Sequence, residues 1–202
     1  MPKILAASLA EHNDQAWAAL TEALETLLAT RSHEEITMAS VAAAAGMARN
    51  TLYNYAPDKP SLIAAVTERA SAELLARVTA IADGEGSPLQ RLETITAAIL
   101  GWFVAEEHRH VVASGLFADA PASTVEEASA PLRALERHVV ELIEAGIADG
   151  RLRALPDVRF TVELLSAIME RAVHRVVRDP QERAMVCEET LRIVRACVAL
   201  EG

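Results

Sequence analysis

The sequence predicts an all-α fold, and three observations carry this prediction. Apolar residues recur at spacings of three and four along most of the 202-residue chain, which is the period of an amphipathic helix. No stretch of useful length alternates apolar and polar residues as a half-buried strand does. Capping residues and prolines mark successive helix starts, which together indicate roughly seven to nine helices.

Composition places the chain among soluble proteins. Hydrophobic residues make up 51% of it, but its longest uncharged stretch, residues 36–48, is shorter than the roughly 20 apolar residues that a membrane helix needs. The N-terminus shows no export signal, so we expect a cytoplasmic protein with no membrane partner. A formal net charge of −10 disfavours non-specific binding to phosphate. Within residues 36–60, however, Arg49 and Lys59 outnumber the single acidic residue, Asp58.

The first predicted helix begins at a capping box formed by Ser8 and Glu11 and ends near Thr30. Its apolar stripe, between residues 17 and 28, is expected to cover the two helices that follow. The second helix begins at Thr37, whose hydroxyl can cap the free amides of the first turn.

Gly46 separates the second helix from the third. A glycine supplies the left-handed backbone conformation that ends a helix without a Cβ clash, and Met47 can fill the angle between the helices. Helices that cross at about 90 to 120° favour a small residue on the first and an aliphatic residue on the second, here Ala42 and Leu52. The spacing predicts a helix-turn-helix. An alanine-rich structural helix pair, broken by a glycine, is the alternative.

The third helix opens at Ala48 and ends before Pro57, because a residue that precedes proline avoids the α region. Asp58 then caps a long fourth helix, which continues to the glycine-rich break at residues 84–86. Because this helix links the first part of the chain to the rest, we divide the chain into residues 1–57 and 58–202.

Three further helical segments follow the break. Residues 87–90, Ser-Pro-Leu-Gln, combine a capping box with proline at the first helical position and so predict a fifth helix. A short segment covers residues 110–117. Pro131 kinks or restarts the next helix, which stops at Gly150.

The last two helices, residues 157–178 and 180–200, form a predicted hairpin with a wide apolar stripe on both members. One side of each stripe is expected to pack on the chain's own core and the other to meet a second copy of the chain by two-fold symmetry. Core helices of a monomer are the alternative. The residues assigned to the dimer interface are Leu164, Leu165, Ile168, Ala172, Val176, Leu191, Val194 and Val198.

The second part of the chain also holds a candidate ligand pocket, although plain core packing explains its aromatic residues as well. No His, Cys or carboxylate cluster has metal-ligand spacing, so we assign no metal site and expect no cofactor. Enzyme motifs are absent. Cys187 and Cys197 are interpreted as packing residues, with a redox role left open. The candidate pocket residues are Trp102, Phe103, His110, Phe117, His138, Met169 and Glu170.

Residues 36–42, 45–55 and 58–62 (ITMASVA, AGMARNTLYNY and DKPSL) resemble the N-terminal domain of the TetR family of transcriptional regulators. The rest of the chain is similar to the family in helix order and in its terminal hairpin. The resemblance implies a homodimeric repressor whose recognition helices read a palindromic operator in double-stranded DNA. It implies a DNA-binding domain at 1–57 and, at 58–202, an effector-binding and dimerisation domain whose small-molecule ligand releases the DNA.

The resemblance also assigns the DNA contacts. Arg49 and Asn50 are the expected base readers, because arginine can bind guanine and asparagine adenine through paired hydrogen bonds. Thr37 and Lys59 match phosphate-binding positions. A helical small-molecule-binding or interaction protein with little DNA affinity is the main alternative, and an enzyme is a distant third. The assigned DNA-binding residues are Thr37, Ala48, Arg49, Asn50, Thr51, Tyr53, Asn54, Tyr55 and Lys59.

Overall fold

The computed structural model describes residues 2–105, 109–117 and 130–200, with side chains placed over 11–105, 109–114 and 133–200. Within these ranges the chain forms nine α-helices and two short 3₁₀ helices and contains no strand, so the predicted all-α fold is confirmed. The α-helices are α1 (Pro2–Thr30), α2 (Met38–Ala44), α3 (Arg49–Leu52), α4 (Lys59–Ala82), α5 (Pro88–Ala105), α6 (Arg109–Phe117), α7 (Ala130–Ala148), α8 (Val158–Arg178) and α9 (Arg183–Val198). The 3₁₀ helices are His33–Glu35 and Pro180–Glu182.

One predicted capping box and one predicted N-cap form as expected from the local sequence. The Ser87 amide donates to Gln90 Oε1 at 3.1 Å, and the Gln90 amide donates to Ser87 Oγ at 3.2 Å. Asp58 caps α4, since its Oδ1 accepts the Ser61 amide at 2.8 Å. These bonds satisfy amides that have no partner within the helix.

One predicted helix start is wrong, and one predicted capping box does not form. α1 begins at Pro2 rather than at Ser8, because proline suits a first helical position and the alanine and leucine residues that follow favour a helix. The last helical segment begins at Pro180 as predicted, with Asp179 as its cap. Its first turn is a 3₁₀ helix, however, and the Glu182 carboxylate pairs with Arg175 instead of closing a capping box. Pro131 is the second residue of α7, where a first-turn proline is tolerated, and the helix begins at Ala130.

The first compact unit is formed by residues 2–70 and, among later described residues, 110–117. α1 packs on α2, and α2 packs on α3. The predicted division at residue 57 separates functions rather than compact units and stays a prediction. Fully buried apolar side chains form the core of this unit: Leu20, Leu24, Ile36, Val41, Leu52, Leu62, Val66, Val111 and Val112.

The second compact unit contains the rest of the described chain, from Ser71 of α4 onward. α5 lies at its centre, in contact with α7, α8 and α9, and it is buried around most of its circumference. α8 and α9 pack on each other as the predicted hairpin. Among the helices of the described ranges, none is long and apolar enough to cross a membrane.

α7 approaches the start of α5 closely at Gly146. A Cβ atom added there would lie 2.9 Å from Pro88 Cβ and 2.7 Å from Leu152 Cδ1, and both of these residues are buried. These distances are shorter than packed carbon atoms tolerate. The missing side chain therefore allows α7 and the turn after it to pack against α5.

We expect Gly146→Ala to lower the free energy of unfolding by about 1 to 2 kcal/mol, because overpacking outweighs the better helix propensity of alanine. Urea unfolding measures this change. Gly101→Ala is the matched control, since its Cβ would meet only the Arg183 guanidinium, 3.2 Å away at Nη2, which can move into solvent. That variant should be unchanged or stabilised by up to about 1 kcal/mol. Equal losses in both variants would contradict the packing explanation.

Candidate nucleic-acid interface

The turn between α2 and α3 is built on Gly46, as predicted. Its φ angle is +65°, and the Met47 amide donates to the Ala42 carbonyl at 2.9 Å, which closes the end of α2. A Cβ at Gly46 would meet nothing within 4 Å. The glycine is therefore required by the backbone angle rather than by a lack of space.

The two residues expected at the helix crossing are both buried. Ala42 on α2 and Leu52 on α3 lie in the core, and Met47 between them is half-buried. Because Leu52 faces inward, the residues before it on the short α3 face outward. Arg49, Asn50 and Thr51 are accordingly all exposed.

Thr37 caps α2. Its Oγ1 accepts the Ser40 amide at 3.1 Å, while its own amide donates to Ser40 Oγ at 2.9 Å. This reciprocal pair fixes the first turn of α2 at an exposed position. Ala48, the residue before α3, is exposed and has no capping side chain.

α3 is shorter than the pattern indicates, since it ends at Leu52 and the chain continues to Ala56 in turns. The amides of Asn54 and Tyr55 donate to carbonyls three residues earlier, a tighter pattern than the α-helix. Tyr53 and Asn54 remain exposed on this segment.

Arg49 and Tyr53 form a pair on the exposed face. Arg49 Nη2 donates to the Tyr53 hydroxyl at 3.3 Å, and its Cζ lies 5.8 Å from the centre of the Tyr53 ring. The Tyr53 side chain is itself 42% exposed. A guanidinium has five N–H donors, so this contact orients Arg49 while leaving it donors for a ligand.

Tyr55 faces the inside of the unit instead. Its ring is half-buried and meets Trp17 of α1 edge to face, with centroids 5.3 Å apart. The Arg69 guanidinium of α4 lies 4.5 Å from the Trp17 ring centre. This stack joins α1, α4 and the segment after α3, and Tyr55 therefore supports the surface through packing. Sequence reasoning missed Arg69, because nothing in the local pattern relates it to Trp17.

Lys59, at the start of α4, donates from Nζ to the His33 carbonyl at 2.7 Å and is half-buried. It therefore holds the 3₁₀ turn between α1 and α2, a role that the sequence did not indicate. An ammonium has three donors, so this bond leaves capacity for a phosphate. Burial first, and then the Lys59 charge, lower the pKa of His33, while Glu34 opposes them.

The candidate pocket residues fall in both units. Trp102 is half-buried and meets the fully buried Phe103 edge to face at 5.0 Å, in the second unit. His138, Met169 and Glu170 are half-buried there as well. His110 belongs to the first unit, where it is bonded to Glu25, and the side chain of Phe117 lies outside the described residues. A pocket proposal therefore rests on the residues of the second unit.

The residues assigned to the dimer interface divide by burial. Ala172, Val176, Val194 and Val198 are already buried by the chain's own residues. Leu165, Ile168 and Leu191 are half-buried, and Leu164 is 51% exposed. One turn before Leu164, Phe160 is 56% exposed. The part of the predicted interface that the chain leaves exposed therefore lies on α8. Within the described residues, no three His, Cys, Asp or Glu side chains are grouped as a metal site.

Comparison with protein families finds a match, which lies within the first unit. Residues 20–66 match the model for bacterial regulatory proteins, tetR family. The matched range contains all of α2, the turn at Gly46 and α3. Comparison with curated protein sequences gives no match.

Solved structures share the fold of nearly the whole chain. A protein of Shewanella sp. PV-4 assigned to the tetR family of transcription regulators is 20% identical, with a TM-score of 0.73 over 92% of this chain and 99% of its own. FadR from Bacillus subtilis, solved with stearoyl-CoA, is 14% identical, with a TM-score of 0.73 over 88% of this chain and 97% of its own. SmeT, solved with triclosan, is 18% identical, with a TM-score of 0.69 over 93% of both chains.

We predict that Lys59→Gln raises the pKa of His33 but leaves it below its ordinary value, because burial, the larger cause, remains. Titration of the His33 ring protons by NMR measures this shift. Arg31→Gln, an exposed change near His33, is the control and should leave the pKa unchanged. A pKa of His33 that does not respond to loss of Lys59 would contradict this electrostatic account.

The lowered pKa also fixes the sign of a pH effect on folding. Because the folded chain favours the neutral imidazole, His33 contributes stability above its unfolded pKa. That contribution is lost as the pH falls through the folded pKa.

Proposed function

We propose that this chain is a TetR family transcriptional regulator that acts as a homodimeric repressor, which a small molecule releases from a palindromic DNA operator. One observation carries the proposal. The stretch that matches the family, residues 20–66, contains a helix-turn-helix closed at Gly46 whose second helix exposes Arg49, Asn50 and Thr51. The match over residues 20–66 supports a DNA-binding regulator rather than an enzyme, and we propose that it acts in the cytoplasm.

In the proposed complex, α3 lies in the major groove and its exposed residues read bases. Arg49 binds a guanine and Asn50 an adenine through paired hydrogen bonds, each worth roughly 1 to 3 kcal/mol of discrimination. Thr51 contacts a thymine methyl group or a phosphate. Tyr53 and Asn54 lie along the groove edge.

Phosphate contacts set the position of α3 in this proposal. Thr37 presents the first turn of α2 to the DNA backbone and the exposed Ala48 presents the start of α3, while Lys59 adds a positive charge at the start of α4. Tyr55 contributes its hydroxyl while its ring stays packed on Trp17. Because the chain carries a net charge of −10, non-specific binding should be weak and specific binding sensitive to salt.

Two copies of the chain are needed to read a palindrome, and we propose that the exposed face of α8 joins them. Phe160 and Leu164 are large apolar side chains one turn apart on this face. Half-buried Leu165, Ile168 and Leu191 extend the apolar surface. A two-fold contact would cover the same residues on both subunits.

The effector is proposed to bind among the helices of the second unit, near Trp102, His138, Met169 and Glu170. FadR and SmeT, which share the fold, were solved with stearoyl-CoA and triclosan, respectively. We therefore propose that the effector of this chain has a large apolar part. It would act by binding one orientation of α4 more tightly than another. The recognition helices of the dimer would then leave the spacing of about 34 to 36 Å that successive major-groove faces require.

The acidic net charge favours a second candidate function, a helical small-molecule-binding protein with little DNA affinity. The two functions differ in one measurement. A regulator binds one duplex far more tightly than others, whereas the second candidate shows no sequence preference even at low salt.

We expect Arg49→Ala and Asn50→Ala each to weaken binding to DNA flanking the protein's own gene by about 1 to 3 kcal/mol per half-site. Gel-shift titration against this DNA and a scrambled duplex measures the loss. Arg77→Ala and Asn13→Ala, exposed residues outside the motif, are the matched controls. Specific binding that survives both substitutions in the motif would show that α3 is not the reading helix.

We expect Leu164→Glu to convert the dimer to a monomer, because the interface would bury two carboxylates without partners. Sedimentation velocity gives the subunit number. Leu200→Glu introduces the same charge at a site that is 55% exposed and outside the assigned interface, and this variant should remain dimeric. If Leu164→Glu also remains dimeric at the same concentration, the interface lies elsewhere.

A further inference from the structure

A carboxylate of α1 holds the first turn of α6. Glu25 Oε2 accepts the Val111 amide at 2.8 Å, and Glu25 Oε1 accepts the His110 amide at 3.2 Å. His110 Nδ1 lies 2.5 Å from the same Oε1. The Glu25 side chain is only 14% exposed and that of His110 24%. One partly buried carboxylate thus binds three groups that lie 85 or 86 residues away along the chain.

These contacts suit the chemistry of a helix start. The first amides of a helix have no carbonyl partner within it, and a negative charge near them is favourable. Hydrogen bonds to a charged acceptor are roughly twice as strong as neutral ones. We refer to the contacts of Glu25 with His110 and Val111 as the Glu25 clasp.

The same turn of α6 also binds α4. The Thr67 hydroxyl, which is fully buried, donates to the Val111 carbonyl at 3.4 Å. Val111 therefore binds α1 through its amide and α4 through its carbonyl. Its side chain and that of Val112 are fully buried in the first unit.

The two helices that bind α6 flank the helix-turn-helix in the sequence. α2 and α3 lie along the chain between α1 and α4, the two helices that bind α6. Glu25 itself lies between Leu24 and Leu27, both buried in the core of the unit. The placement of α6 therefore constrains the frame from which α2 and α3 project.

We propose that Glu25 is a positioning residue for DNA binding, which keeps α1 and α4 in the arrangement that the operator complex requires by clasping α6. The inference rests on the proposed DNA-binding function. It goes further by assigning a role to a residue that lies outside the reading surface. By linkage, if the clasp favours DNA binding, then bound DNA favours the closed clasp by the same factor.

The test begins with the wild-type protein and a duplex that it binds specifically in gel shift. Hydrogen exchange of a peptide covering residues 109–114 should slow roughly fivefold or more when that duplex binds. Glu25→Gln removes the charge and replaces one acceptor with a donor group. In this variant, exchange of the same peptide should speed up about 10- to 100-fold. Its affinity for the duplex should fall by roughly the factor by which bound DNA slows that exchange in the wild-type protein.

One control variant and one independent variant accompany Glu25→Gln. Glu22→Gln makes the same change at an exposed position one turn earlier on α1 and should leave affinity within about twofold. Thr67→Val removes the hydroxyl that donates to the Val111 carbonyl without touching the carboxylate. It should weaken DNA binding in the same direction as Glu25→Gln.

Two results would overturn the inference while leaving the proposed function intact. One is faster exchange in Glu25→Gln with unchanged affinity for the duplex, which would make the clasp a local helix cap only. The other is exchange in residues 109–114 that does not respond to DNA. If the wild-type protein binds no duplex specifically, the proposed function fails first, and the inference fails with it.

Discussion

The proposed DNA-binding surface depends on the left-handed conformation of Gly46. With φ at +65°, this residue stops α2 and lets the Met47 amide close on the Ala42 carbonyl. The chain then turns so that Leu52 is buried while Arg49 and Asn50 remain exposed. A residue with a Cβ atom would be strained at this φ angle. Without the turn, α2 would continue as a straight helix and α3 would not cross it. One backbone angle therefore determines which side chains of α3 are presented to a ligand.

Contacts from remote parts of the chain stabilise this turn. Trp17 of α1 packs against Tyr55 on one side and carries the Arg69 guanidinium of α4 on its ring. Lys59 holds the 3₁₀ turn before α2. The surface has few charges, so its specificity rests on the geometry of a small number of side chains. A rigid frame serves such a surface well, because preorganised contacts lose less entropy on binding.

Local features of this fold were predictable from sequence, and long-range features were not. The all-α class, the turn at Gly46 and the cap at Thr37 follow from periodicity, glycine chemistry and hydroxyl capping within a few residues. The clasp between Glu25 and α6 joins residues that no local pattern relates. Predicted dimer residues such as Val176 and Val198 are buried in the chain's own core. An apolar stripe indicates burial but does not say which partner provides it.

Selection of duplexes from a randomised pool by the wild-type protein tests the central claim most directly. The account predicts enrichment of a two-fold symmetric sequence whose half-sites are centred about 34 to 36 Å apart. Each half-site should contain a guanine and an adenine at positions where Arg49→Ala and Asn50→Ala lose their preference. A pool that remains random, or an enriched site without two-fold symmetry, would contradict a dimeric regulator that reads DNA through α3.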